Sequence, residues 1–127
     1  MSTGTNFELV GDFMQAFGQS VEYEPTWPDF NTRELRIDLI EEELDELKVA
    51  IETRDMVEIA DALTDILYVV YGAGHTFGID LDDCFDEVHA SNMSKLGADG
   101  LPVYRDDGKV LKGPGFFAPD LESILNP

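Results

Sequence analysis

Apolar residues recur at helical spacing along most of this 127-residue chain. Phe7, Val10, Met14 and Phe17 predict a first helix over about 6–17, stopped by Gly18. A loop with Pro25, Trp27 and Pro28 follows. The pattern resumes over about 32–53, opened by Asn31 with Glu34 three residues on, a capping-box arrangement. A third helix is predicted over about 56–73, with Asp55 as N-cap and Glu58 at the reciprocal position. Gly72, Gly74 and Gly78 then loosen the chain. Asp80 caps a fourth helix over about 81–95. Beyond it, "VYRDDGKVL" reads as a small hairpin on an Asp-Gly turn, and "PDLESIL" as a terminal helical turn. The expected architecture is one all-α domain over 1–127. It has a four-helix bundle-like part over about 6–95 and a short irregular C-terminal tail over about 96–127.

Acids interrupt this pattern. "LIEEELDEL", residues 39–47, holds five carboxylates in nine positions. At roughly 100° per residue, with Glu42 as origin, Ile37, Ile40, Leu44, Leu47 and Ile51 form a stripe at about 140–220°, an ordinary core face. Leu35, Leu39 and Ala50 form a second apolar sector at about 20–80°. Glu46 and Glu43, at about 40° and 100°, point into or beside that sector, with Glu42 at its edge. Glu41 and Asp45 fall with Lys48 on the water side and read as surface charges. On the third helix Glu58, Asp61 and Asp65 share one narrow face, amid apolar residues on nearly every other side, the mark of a buried helix. Asp65 stands out, because "ALTDILYVV" offers it no basic neighbour.

Two carboxylates ~5 Å apart repel by roughly 3 kcal/mol at an effective dielectric of 20. Four converging groups make six pairs, an upper bound on the order of 20 kcal/mol, more than the roughly 5–15 kcal/mol stability of a domain. A divalent cation relieves this better than protonation, and oxygen-only ligands suit Mg²⁺, or Mn²⁺. The bland alternative is a set of solvated helix acids.

Composition sharpens the choice. The net charge of −19 argues against nucleic-acid binding. The excess is uneven: residues 1–87 hold 22 acids and four bases, whereas residues 88–127 hold five acids and four bases. No stretch approaches the ~20 apolar residues of a membrane span, so no membrane partner is expected. The N-terminus lacks a signal-peptide pattern, and a lone cysteine, Cys84, fits a reducing compartment; the expected location is the cytoplasm.

"EEELDEL" followed by "DALTDILYVVYG" resembles the MazG-like all-α NTP pyrophosphohydrolase superfamily. "FGID", "EVHASNMSKL" and "DGKVLKGPGFFAPDL" are similar to its phosphoribosyl-ATP pyrophosphohydrolase-like branch. The likeness covers roughly residues 7–125. It implies Mg²⁺-dependent cleavage between the α and β phosphates of a nucleoside triphosphate, giving a monophosphate and pyrophosphate, as in nucleotide-pool house-cleaning. The family pattern is Glu-x-x-Glu on one helix and Glu-x-x-Asp on the next. Glu43 and Glu46 match the first half. In the second half Asp65 matches, but Ala62 stands where Glu is expected, and Asp61 is the nearest substitute; a shifted register would pair Glu58 with Asp61. The resemblance therefore implies Glu43, Glu46, Asp61 and Asp65 as metal ligands; Glu42, at the edge of the apolar arc and not saturated by metal, is the candidate base that deprotonates water. Asn92, Lys95, Lys109, Lys112 and Arg36 are the candidate substrate contacts, each with a solvated surface residue as its plain alternative. Tyr68 and Tyr71 offer stacking surfaces, with packing as the simpler role. The resemblance also implies a homodimer at least, with a tetramer as the larger option.

Three alternatives stand beside this. One is phosphoribosyl-ATP pyrophosphohydrolase activity in histidine biosynthesis. Another is a catalytically silent nucleotide- or metal-binding module, suggested by Ala62. The third, a di-iron carboxylate bundle, needs two Glu-x-x-His motifs, and neither His75 nor His89 follows a glutamate at that spacing.

Overall fold

The computed structural model describes residues 4–127. They form two compact units, one running to Ile79 and one from Asp80 to Pro127. The break falls before the fourth helix rather than at the start of the tail.

The first unit holds three helices: α1 (Asn6–Ala16), α2 (Phe30–Glu52) and α3 (Met56–Phe77). Thr5 and Glu8 close a capping box at the start of α1, and Gly18 lies just past its end in the left-handed region. α2 starts two residues earlier than its sequence signal. The Asp29 carboxylate accepts from the Thr32 N–H at 2.8 Å, so Asp29, not Asn31, is the cap. It follows Pro28, whose carbonyl accepts from Arg33 at 2.7 Å. The α3 cap is as expected: Asp55 accepts from the Glu58 N–H at 3.1 Å.

α3 runs past Gly72 and Gly74 to Phe77, four residues beyond the expected end. A helical glycine costs about 1 kcal/mol relative to alanine, and both of these are buried. A Cβ on Gly72 would lie 2.8 Å from Arg36 Nη1. The break comes at Gly78, where φ is 68° and a Cβ would lie 1.9 Å from the Glu24 carbonyl. The loop before α2 covers this end, with the Glu22 and Thr26 N–H groups donating to the His75 and Phe77 carbonyls at 2.9 and 2.8 Å.

α2 and α3 lie side by side, and α1 packs on α3 through buried Val10 and Met14. Ala50 of α2 and Ala62 of α3 are almost fully buried. The expected core stripe of α2 is not the packed face. Ile37, Leu44 and Ile51 are exposed, with Ile40 and Leu47 half-buried. The packed face is the second apolar sector, with Leu39 and Ala50, because one neighbouring helix covers only one side of α2. For the same reason α3 is not buried all round: Leu63, Leu67 and Val70, opposite Asp65, are exposed.

The second unit contains α4 (Leu81–Met93), a two-residue-per-strand hairpin and α5 (Leu121–Leu125). Asp80 caps α4 as expected. β1 (Val103–Tyr104) pairs antiparallel with β2 (Val110–Leu111), and Gly108 takes the left-handed turn position. The stretch between β2 and α5 is tied to the end of α4. Ser91 Oγ donates to the Phe117 carbonyl at 2.8 Å, the Phe117 N–H donates to Ser94 Oγ at 3.1 Å, and the Gly113 N–H donates to the Lys95 carbonyl at 2.8 Å.

Candidate functional site

The α2 positions that face α3 include Glu43 and Glu46, one turn apart. Asp65 of α3 comes to the same place. Each of the three offers a carboxylate oxygen, and these oxygens lie within 4.8 Å of one another. Glu43 and Asp65 are half-buried and Glu46 is exposed. Glu43 Oε2 is shielded from solvent and has no hydrogen-bond partner. No cation pairs with any of the three among the described residues; Lys48 lies 3.9 Å from Asp45 instead.

Burial, then a side-chain hydrogen bond to Glu46, then the charges of Glu46, Asp65 and Asp61 push the Glu43 carboxyl from 4.5 up to about 7. Burial, then the charges of Asp61 and Glu46, also raise Asp65. Without a cation, burial and the crowding of like charges make the cluster hold a proton more tightly than free carboxylates do. Oxygen-only donors and an orphaned buried carboxylate oxygen fit a hard divalent cation.

Cavities lie on both sides of this acidic layer. The first, about 560 Å³, is lined among others by Phe13, Met14, Leu39, Tyr68 and Val69, with Arg36 as its one cation. Leu39 is one turn before Glu43, and Val69 one turn after Asp65. The second, about 510 Å³, lies toward the other ends of these stretches and carries Asp45, Glu46, Glu58 and Asp61 around Ala50 and Ala62. Asp61 is exposed; it reaches Glu43 and Asp65 through its charge. Ala62 is almost wholly buried, a methyl group where the pattern would place a carboxylate.

Glu42 is exposed on α2, one turn from Glu46. Tyr68 meets the Phe13 ring edge-on at 5.5 Å, and Tyr71 meets Phe7 at 6.0 Å. The remaining candidates belong to the second unit. Asn92 is exposed on α4. Lys95 lies past the end of α4 and is half-buried, its N–H donating to the Asn92 carbonyl at 3.2 Å. Lys109 is in the hairpin turn, its N–H donating to Asp107 at 3.1 Å. The Lys112 ammonium stands 4.7 Å from the Phe116 ring centre. Sequence reasoning took Gly72 as a loosening residue and missed its place in the cavity wall. The available signal was spacing: Gly72 is seven residues after Asp65, and Arg36 seven before Glu43, each two turns along the same helical face.

The family model for phosphoribosyl-ATP pyrophosphohydrolase matches residues 10–92. The chain belongs to that family. The match spans α2 and α3 with all their acids and stops before Lys95. An uncharacterized protein of Acanthamoeba polyphaga mimivirus is 38% identical over 112 residues, 85% of this chain. The chain spans 42% of that curated relative's length. Among solved structures, a "putative NTP pyrophosphohydrolase" from Exiguobacterium sp. 255-15 is similar with a TM-score of 0.55 and 26% identity, covering 95% of this chain and 94% of its own. Family membership and this likeness show an all-α pyrophosphohydrolase fold, and its acidic group could hold a divalent metal. No described helix is long and apolar enough to cross a membrane.

Proposed function

We propose that this protein is a Mg²⁺-dependent nucleoside triphosphate pyrophosphohydrolase that cleaves between the α and β phosphates. The observation that carries this is the buried, unpartnered Glu43 Oε2 within a group of three carboxylates. Glu43, Glu46 and Asp65 would hold the cation, with Asp61 beside them. Bound there, Mg²⁺ supplies charge neutralisation for the phosphate oxygens and lets an anionic substrate approach an acidic surface. Glu42, one turn from Glu46 and exposed, would take the proton of the attacking water. Lys95, Lys109 and Lys112, with Asn92, would contact the phosphates. Mn²⁺ is the natural substitute for Mg²⁺ on such ligands.

The exposed stripes of Ile37, Leu44 and Ile51 on α2 and Leu63, Leu67 and Val70 on α3 support a homodimer, because two apolar faces on adjacent helices are stable in water only when covered. A single, buried cysteine, Cys84, supports a reducing compartment, the cytoplasm. Ala62 favours a second reading, a metal- and nucleotide-binding module without turnover, since the substitution removes one expected ligand.

One experiment separates the two. Pyrophosphate release is measured over a panel of nucleoside triphosphates with millimolar Mg²⁺, alongside calorimetric titration of the metal. Release that stops with chelation is the expected result. Metal binding without release of pyrophosphate from any triphosphate would leave the silent module, and absence of binding would remove both.

A further inference from the structure

The cavity beside the acidic layer contains a cation with nothing to bind. Arg36 makes no hydrogen bond or ion pair among the described residues, and its Nε is shielded from solvent without an acceptor. Burial lowers its pKa, with no carboxylate offsetting the shift. Nη1 lies 2.8 Å from where a Cβ at position 72 would stand, so Gly72 leaves room for the end of the Arg36 side chain. Nη1 reaches the Gly72 position, itself part of the cavity wall, while Nε is closed off, so the terminal nitrogens Nη1 and Nη2 are the pair left without an acceptor among the described residues.

The surroundings decide what that acceptor belongs to. The cavity wall is mostly apolar and aromatic, with Phe13, Leu35, Leu39, Tyr68 and Val69. Glu22 and Asp29 also line it, so a phosphate chain would meet two carboxylates there. A flat, uncharged ring with acceptor atoms meets no such repulsion. The volume of about 560 Å³ lies within the range of small-molecule sites. Arg36 stands seven residues before Glu43, about 10 Å along α2, so a base edge held there is offset from phosphates at the acidic layer by roughly the length of a nucleoside.

Resting on the pyrophosphohydrolase reading above, we infer that this cavity receives the base of the nucleotide and that Arg36 selects it by donating to two neighbouring acceptors on one base edge. Guanine offers such an edge at O6 and N7, and cytosine at N3 and O2. Adenine and uracil place a donor beside the acceptor in each case. Arg36 is then a specificity residue for the base and not a phosphate ligand.

The test uses the full chain and two measurements. Binding of GMP, CMP, AMP and UMP is followed by calorimetry, and turnover of the four triphosphates with Mg²⁺ is followed by pyrophosphate release. Circular dichroism checks the fold of Arg36→Met and Arg36→Lys. Wild type is expected to favour guanine or cytosine over adenine and uracil. Arg36→Met should lose about tenfold to a hundredfold on the favoured base and under about threefold on the others, levelling the preference. Arg36→Lys keeps the charge but not the fork, and should level it too. A 7-deazaguanine nucleotide separates the two edges. It should bind wild type about tenfold more weakly than the guanine parent where guanine is the favoured base. If cytosine is favoured, the 7-deaza change should have no effect. Equal losses on all four bases, full retention in Arg36→Met, or no monophosphate binding by wild type would each overturn the inference. Base-selective binding with no turnover would overturn the enzymatic reading and leave this inference standing. Turnover with a uniform Arg36 effect would do the reverse.

Discussion

His75 and Glu43 pose the same physical problem within one helical unit and reach opposite outcomes. His75 is 8% exposed. Its Nε2 lies 2.7 Å from the Phe7 carbonyl, its ring stacks on Phe7 at 3.9 Å, and Gly11 leaves it room. The imidazole's Nε2 and its ring face are both partnered by Phe7 of α1, so its role is to fix α1 on α3. Glu43 has a shielded oxygen without a partner and further carboxylates around it. A satisfied buried polar group is architecture. One that the fold leaves unsatisfied, at a measurable energetic cost, is waiting for a ligand. Arg36 falls on the side of Glu43 in this comparison, and Ser91 and Ser94 at the end of α4, bonded to Phe117, on the side of His75.

The largest effect should come from the unsatisfied side. Glu46→Gln and Asp65→Asn are expected to lower pyrophosphate release by at least about a hundredfold while the fold persists. Apo thermal stability should hold or rise, since each substitution removes a repulsive charge. Glu41→Gln and Asp45→Asn should change turnover by less than about twofold. Comparable losses from all four would show that the division of the acids was mistaken.

Next comes the satisfied side. His75→Ala removes a hydrogen bond, a stacked ring pair and core volume, and should destabilise by about 2–4 kcal/mol in chemical denaturation. Turnover per folded molecule should stay near wild type. A variant as stable as wild type, but inactive, would move His75 into the site and dissolve the contrast.

These two outcomes track what could be read from the chain. The helices were legible because their caps and periodicity are local, as Asp55 and Asp80 show. The α2 cap differs from its sequence signal because Asn31 and Asp29 both satisfy the local rule, and the turn ending at Pro28, whose carbonyl Arg33 holds, selects Asp29. The end of α3 was misjudged because Gly72 and Gly74 look like breakers until Arg36 and the covering loop are present. Rotation by 100° per residue puts Glu43 and Asp65, both half-buried, off the water face, and Glu46, though exposed, brings a carboxylate oxygen to the same group. Which side of α2 is packed did not follow. Two apolar stripes were available, and a choice between them needs a partner helix. The cavity was illegible for the same reason, being made by three helices and a loop.

A smaller effect concerns pH. Glu43 is raised to about 7 from 4.5, and Asp65 is raised as well. In the metal-free protein the folded state therefore binds protons more tightly than the unfolded state. The stabilising contribution is fully present below about pH 4.5, and it is lost as pH rises through about 7. Melting temperature without metal should fall between pH 5 and 8 in wild type, and less so in Glu43→Gln. Added Mg²⁺ should reverse the trend, because it must displace that proton and so binds more tightly at pH 8 than at pH 6. A metal-free profile identical in Glu43→Gln would detach the cluster from the pH response.

The smallest effect belongs to the basic tail, and there the comparison is least one-sided. Lys112 already has a partner, the Phe116 ring at 4.7 Å, and the Lys109 backbone is fastened in the hairpin turn. Their side chains are exposed, so each should gain little from a phosphate in water. Lys109→Ala and Lys112→Ala should each raise KM by about twofold to fivefold with kcat nearly constant, the signature of a contact equal in ground and transition states. Lys95 is half-buried beside the α4 terminus, so Lys95→Ala should lower kcat as well. Deleting residues 107–127 is a poorer probe, because it also strips Ser91 and Ser94 of their bonds to Phe117 and unsettles the end of α4. Single lysine substitutions leave those bonds in place. If all three kept wild-type KM at low and high salt, the tail would join His75 as architecture, and the phosphates would be held by the metal and by residues of the first unit.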